Sequence, residues 1–179
     1  MSDAMRADAR ARAARIRLMI FDVDGILTDG SLQYGAEGEV VKSFNVLDGL
    51  GIRLLQQSGV GTAIVTARKS EIVARRAAEL GIEHVLQGVH DKRTGFEDLL
   101  ARTGIAAAEC GFVGDDWIDL PVLTQVGFAA SVPNAHPEVR TRVHYVTAAG
   151  GGGGAVRELC DFILRAQGNY EAALAPYLR

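Results

Sequence analysis

The sequence predicts an α/β fold: a Rossmann-like parallel sheet with helices on both faces, an inserted β-hairpin and no separate cap domain. Three observations carry this expectation. Short apolar runs alternate with longer segments of helical period along most of the chain. Glycines stand where helices would close with left-handed caps, at Gly59, Gly81 and Gly104. Residues able to carry chemistry, Asp22, Thr66 and Asp115, come directly after apolar runs. In an open parallel sheet, ligands collect at that end of the strands.

Taken in order, strands are expected over residues 17–21, 61–66, 84–87, 111–114, 128–130 and 145–147. Helices are expected over 47–57, 70–80, 92–103, 117–125, 136–141 and 155–166. Each strand is thus followed by a helix before the next strand, the connection that parallel pairing requires. The segment 70–80 shows the helical period well, with Ile72, Val73, Ala77 and Leu80 on one stripe. Residues 31–44 break the rhythm: two short strand-like runs surround Gly35 and Gly38, which reads as a β-hairpin inserted after the first strand. Five consecutive glycines at 150–154 directly precede a helix. Such a run reads either as a flexible linker or as backbone made to approach an anion or another chain closely.

A chain of 179 residues holds one well-cored domain and is short for two. The expected division is a solvated N-terminal tail over 1–15, one α/β domain over 16–168, and a C-terminal tail over 169–179 that docks on a neighbour, gates a site or frays. With 48% hydrophobic and 23% charged residues the composition is globular, and a net charge of −3 gives no electrostatic footprint for nucleic acid. No apolar stretch approaches the roughly 20 residues of a membrane span. Cys110 and Cys160 lack metal-ligand spacing and read as reduced, buried thiols. His84, His90, His136 and His144 show no zinc pattern.

The chemistry concentrates in Asp22-Val23-Asp24-Gly25-Ile26-Leu27-Thr28, which follows the first apolar run. Two carboxylates at the end of a buried strand need partners, a metal or a task. Asp22, nearest the strand, is the candidate nucleophile toward phosphorus. Asp24 is placed to protonate the leaving oxygen and later to activate water. Repulsion between carboxylate and phosphate calls for a cation, and hard oxygen ligands select magnesium, with Asp115 as a further ligand. Asp116 and Asp119 would orient waters and the lysine. Thr66 offers a hydroxyl and an N–H to a phosphoryl oxygen, and Lys92 supplies positive charge. Each of these residues alone is commonplace. Their appearance together, in order and at strand ends, points to phosphoryl transfer.

These segments resemble the four motifs of the haloacid dehalogenase superfamily of phosphatases. Residues 22–28 resemble the first, Ile64-Val65-Thr66 the second, Lys92 the third and Gly114-Asp115-Asp116-Trp117-Ile118-Asp119 the fourth. The resemblance covers nearly the whole chain. The stretches 22–30, 44–52 and 151–158 are similar to a capless branch that acts on phosphorylated sugar acids. It implies a cytosolic magnesium-dependent enzyme, a homotetramer, catalytic roles for Asp22, Asp24, Thr66 and Lys92, and metal ligation by Asp22, Asp24 and Asp115. It further implies substrate contacts from Gly25, Thr28, Arg68 and Arg76. The pattern departs at Ala67, where glycine is usual, and in the uninterrupted glycine run. By spacing, Arg68 and Arg76 lie about two turns apart on one helical face, where they either bind a substrate carboxylate or are solvated.

Only 43 residues separate Asp22 from Thr66, and only 25 separate Thr66 from Lys92, which leaves no room for a cap domain. A hairpin alone is marginal, and packing against its own copies would support it. Two other readings remain in view. The substrate is a nine-carbon rather than an eight-carbon sugar-acid phosphate, or the chain is a receiver-like phospho-aspartate domain. The receiver reading fits poorly, because there the acidic pair precedes the phosphorylated aspartate, whereas Asp115-Asp116 comes last.

Overall fold

The computed structural model describes residues 3–179. Six parallel strands form the sheet: β1 (Leu18–Phe21), β4 (Gly61–Thr66), β5 (His84–Gln87), β6 (Cys110–Val113), β7 (Phe128–Ser131) and β8 (Tyr145–Val146). Between β1 and β4 the chain forms a separate antiparallel pair, β2 (Gln33–Gly35) and β3 (Gly38–Val41), with an irregular register at Gln33/Tyr34. The sheet order is β5-β4-β1-β6-β7-β8. With the hairpin set aside, this is the doubly wound order, and its direction reverses between β1 and β6. The register there pairs Phe21 with Val113, so Asp22 and Gly114 leave the sheet side by side.

Alternation along the strands builds a core on each face. Met19, Phe21 and Ile64 pack with α2 (Val46–Gln57), α3 (Glu71–Leu80) and α7 (Ala155–Ala166). Leu18, Ile20, Ala63 and Val65 pack with Phe96 and Leu99 of α4 (Lys92–Thr103) and with Val122 and Leu123 of α5 (Leu120–Leu123). On α7, Val156, Leu159, Cys160 and Ile163 form one buried stripe. The αL caps expected for α3 and α4 are present at Gly81 (φ 68°) and Gly104 (φ 67°). The expected helix at 117–125 divides into a 3₁₀ turn, Trp117–Asp119, and the short α5, because Asp119 turns inward and Pro121 starts a new helix. The one expected at 136–141 is α6 (Pro137–Arg140).

The N-terminal end of the chain corrects the expectation of a solvated tail. Residues Asp3–Ala13 form a helix, α1, whose Ala9 and Ala13 are fully buried against the α7 face of the core. Small side chains allow that close approach, and Gln167 Nε2 fastens the connection by donating to Ala13 O and Ile16 O at 3.3 and 2.9 Å. Met1 and Ser2 lie outside the described residues. At the other end, α8 (Tyr170–Leu174) and a 3₁₀ turn (Ala175–Leu178) continue the chain, with Tyr170 and Ala173 partly buried against the core.

The glycine run is a tight packing element, not a linker. A Cβ on Gly151 would lie 1.8 Å from Gly25 O, and one on Gly152, at φ +67°, would lie 2.6 Å from Asp29 N. Gly152 N donates to Ile26 O at 2.9 Å, and Gly151 N donates to Asn134 Oδ1 at 3.0 Å. The run therefore braces the loop after β1 from behind, backbone against backbone. Gly151→Ala is expected to destabilise the protein by about 1–3 kcal/mol or more, as for overpacking against unyielding atoms. Gly153→Ala, whose Cβ would meet nothing closer than 3.2 Å, should cost less. Urea unfolding of the two variants checks the difference.

Candidate active site

The crevice at the carboxyl ends of β1, β4 and β6 gathers residues far apart in sequence. Asp22 follows β1 directly, and its backbone N donates to Val113 O at 3.1 Å. The next turn is wound around Val23 O, which accepts from the amides of Ile26, Leu27 and Thr28. Thr28 is buried, and its hydroxyl serves this loop: it donates to Val23 O at 3.4 Å and accepts from Gly30 N at 3.2 Å. Gly25 sits at φ +86°, and any Cβ there would meet the Asp115 carboxylate at 2.0 Å. The absence of a side chain lets the loops after β1 and β6 close on each other.

Lys92 opens α4, and its side chain runs inward to 1% residual exposure. Its ammonium lies 2.8 Å from Asp22 Oδ1 and 2.5 Å from Asp119 Oδ1. Asp119 is fully buried, and its Oδ2 accepts from the amides of Asp115 and Asp116 at 2.9 and 3.2 Å. Asp116 returns the arrangement as a capping box, its side chain accepting from the Asp119 amide, and it also accepts from Trp117 N at 2.8 Å. Gly114 leaves the space that Asp119 fills, since a Cβ there would lie 2.4 Å from its carboxyl carbon. Thr66 is buried at the end of β4, beside β1.

Ligand oxygens of Asp22, Asp115 and Asp119 lie within 4.8 Å of one another. Three carboxylates against the single ammonium of Lys92 leave a surplus of two negative charges. Burial pushes the Asp22 carboxyl up, repulsion from Asp119 adds to it and Lys92 opposes it, giving about 7. Burial likewise pushes Asp115 up to about 7, with repulsion from Asp22, Asp119 and Asp116. Burial works against the Lys92 ammonium, yet Asp22 and Asp119 together hold it above its usual value. Both Asp119 oxygens are engaged by Lys92 and backbone amides, which leaves Asp22 and Asp115 as the carboxylates free to ligate. The donor set, all oxygen and short of positive charge, fits a hard divalent cation.

Asp24 is placed differently. Its carboxylate is not part of that close group and instead meets the ammonium of Lys42 and lies 3.6 Å from Arg68 Nε. Arg68 also donates from Nη2 to Tyr34 Oη at 2.5 Å, so it reaches both the site and the hairpin. Arg76 is not brought to the carboxylates. It pairs with Glu79 at 3.3 Å, lies over the Phe44 ring at 5.9 Å, and lines a small cavity with Asn45, Asp48 and Gly49.

Lys42, Glu39, Ser70 and Asp48 are structural partners of the site region that the sequence did not single out. Ser70 Oγ donates to Glu39 Oε2 at 2.7 Å, tying the hairpin to the start of α3. Buried Asp48 accepts from Arg157 N at 2.8 Å, fixing the start of α7 behind the glycine run. The one signal for the first pair was the spacing of Glu39 and Lys42 at the end of a hairpin. Charges there are ordinarily solvated.

With the fold and this geometry in place, comparison with known proteins gives the class. The chain belongs to the haloacid dehalogenase-like hydrolase family, whose model matches residues 81–159. It is 48% identical over 167 residues to the 3-deoxy-D-manno-octulosonate 8-phosphate phosphatase of Escherichia coli K12, covering 93% of this chain and 89% of that protein. A crystal structure of the Moraxella catarrhalis enzyme of that name, in complex with magnesium, phosphate and KDO, superimposes with a TM-score of 0.92. It is 45% identical, over 95% of this chain and 98% of that one. The Yersinia pestis enzyme of the same name gives a TM-score of 0.89 at 47% identity, over 92% and 89%.

An acid whose value in the folded protein is raised contributes stability that is complete below its unfolded value, near 4, and lost as pH rises through about 7. Asp115→Asn removes that group without changing its shape. In metal-chelating buffer the variant is expected to be more stable than the parent at pH 8, by on the order of 1–3 kcal/mol, and the gain should vanish near pH 4. Denaturant unfolding across that range checks it.

Proposed function

We propose that this protein is a magnesium-dependent phosphatase that hydrolyses 3-deoxy-D-manno-octulosonate 8-phosphate to the free sugar acid and phosphate. The step belongs to lipopolysaccharide precursor synthesis in the cytoplasm. The observation that carries the reading is the strand-end group of Asp22, Lys92, Asp115 and Asp119, in a chain so similar to phosphatases of that substrate. Asp22 and Asp115 would hold the cation, with Asp24 contributing from the same loop. Once bound, the ion would offset the surplus negative charge and draw electron density from the phosphoryl group.

The protein's own groups account for the remaining chemistry. An Asp22 oxygen attacks phosphorus, the bond from phosphorus to the sugar oxygen breaks, and that oxygen takes a proton from Asp24. Water then attacks the aspartyl-phosphate and gives a proton to Asp24, which releases phosphate and restores Asp22. Lys92 holds Asp22 in place and balances the phosphoryl charge, and Asp119 holds Lys92. The hydroxyl and amide of Thr66 serve as donors to phosphoryl oxygens, whereas the Gly25–Thr28 amides are spent within their own loop. Arg68 is the substrate-carboxylate candidate that this chain supplies to its own site. Arg76, turned away here, would serve through a neighbouring subunit.

The test compares kcat/KM with magnesium over a panel of phosphorylated sugars and sugar acids. A preference of tenfold or more for the eight-carbon acid phosphate is expected, and a preference for a nine-carbon acid would reassign the substrate. In the same panel Asp22→Asn should lose turnover by about a thousandfold or more. Arg68→Ala should raise KM for the sugar-acid phosphate far more than for p-nitrophenyl phosphate.

The assembly proposed is a homotetramer in which hairpins pack on hairpins. It is supported by the exposure of Leu32, Tyr34, Val40 and Val41 on the hairpin and of Val46, 81% exposed, and Leu47 beside it. An apolar patch of this kind on a small domain calls for a partner. Sedimentation is expected to give a tetramer, and an active monomer would dismiss the arrangement.

A further inference from the structure

A short chain of ion pairs, enclosed at Lys42, joins the hairpin to the site without gripping phosphate or metal. Lys42 stands just beyond β3, and its side chain is 1% exposed although the strand it follows is open to solvent. Its ammonium meets Asp24 Oδ1 and lies 2.9 Å from Glu39 Oε1. Glu39 is anchored in turn by Ser70 at the start of α3. Arg68 stands 3.6 Å from Asp24 Oδ2 and 3.7 Å from Glu39 Oε1, so each Asp24 oxygen faces a cation. The two cations are not equivalent. Lys42 is enclosed, whereas the Arg68 side chain is 39% exposed and free to leave Oδ2 when substrate arrives.

We propose that Lys42 is a positioning residue for proton transfer, fixing one oxygen of the Asp24 carboxylate so that the other is presented to the leaving group. The inference rests on the reading that Asp24 moves the proton. During attack by Asp22, the proton passes from Asp24 to the sugar oxygen as the phosphorus–oxygen bond breaks. Lys42 itself neither gives nor takes it. A carboxylate on two rotatable bonds delivers a proton well only when its orientation is set beforehand. A lysine buried between two carboxylates sets it rigidly. It also makes the orientation depend on the hairpin, because Lys42 and Glu39 both belong to that segment. A hairpin anchored for its own sake would be served as well by apolar contacts.

Leaving-group dependence separates this role from simple anchoring. A sugar alkoxide must be protonated as it departs, whereas p-nitrophenolate leaves without help. Lys42→Met is expected to lower kcat/KM for the sugar-acid phosphate by about 100-fold, the low end of general-acid effects, but that for p-nitrophenyl phosphate less than tenfold. Inhibition by inorganic phosphate should stay within threefold, and Lys42→Arg should recover part of the selective loss. Glu39→Gln loosens Lys42 from the other side. It should show the same selectivity at smaller size, and it decides the matter if Lys42→Met does not fold. Equal losses on the two substrates, or none, would overturn the positioning role while leaving the phosphatase reading intact. A parent protein inactive on both substrates, or an Asp22→Asn variant retaining turnover, would instead remove the reading beneath it.

Discussion

Two neighbouring parallel strands leave the core beside each other, β1 directly into Asp22 and β6 through Gly114 into Asp115, and the crevice between them must hold three close carboxylates with one buried ammonium. Much of the surrounding structure answers that constraint. Asp119 is neutralised by Lys92 on one oxygen and satisfied by two backbone amides on the other. Removing Lys92 would leave buried charge unpaired, which commonly costs about 3–5 kcal/mol. Gly25 and Gly114 lack side chains where Asp115 and Asp119 must pack. What these arrangements leave uncompensated shows in the Asp22 and Asp115 carboxyls, both raised to about 7 by burial and by repulsion from neighbouring carboxylates.

The same constraint explains why the loop after β1 is braced so heavily. Its backbone is wound on Val23 O, pinned by the Thr28 hydroxyl, and backed by Gly151 and Gly152 at distances no side chain would permit. Asp48 then fixes the start of α7, the helix that follows the run. Preorganised charge acts on a reaction only to the extent that it does not relax, and a loop clamped from behind holds its carboxylates in place.

On the open side of the crevice stands the hairpin. It has little core of its own, and its ties to the body are polar: Lys42 to Asp24, Glu39 to Ser70, and Tyr34 to Arg68. Two of these ties end on residues of the site. A small chain without a cap domain thus has an outer wall whose position bears on Asp24 and Arg68, while its apolar face is exposed.

The alternation of apolar runs with helical segments, the capping glycines and the ordered strand-end residues made the sheet, its parallel sense and the gathering of Asp22, Lys92 and Asp115 legible from the sequence. Each of these follows from local pattern: period, chain reversal and the end of a strand. The N-terminal helix was not legible, because an Ala- and Arg-rich segment looks the same solvated or docked until its small face finds α7. The glycine run read two ways until the loop it braces stood opposite it. Lys42 looked like an ordinary hairpin charge, and Arg68 and Arg76 looked alike on one helical face. Only the tertiary structure buried Lys42 between Asp24 and Glu39, and only it turned Arg68 toward the site and Arg76 away. The reason is physical: backbone pattern and strand order are encoded in near neighbours, whereas the partner of a charge is decided by which distant segments the fold brings within a few ångströms.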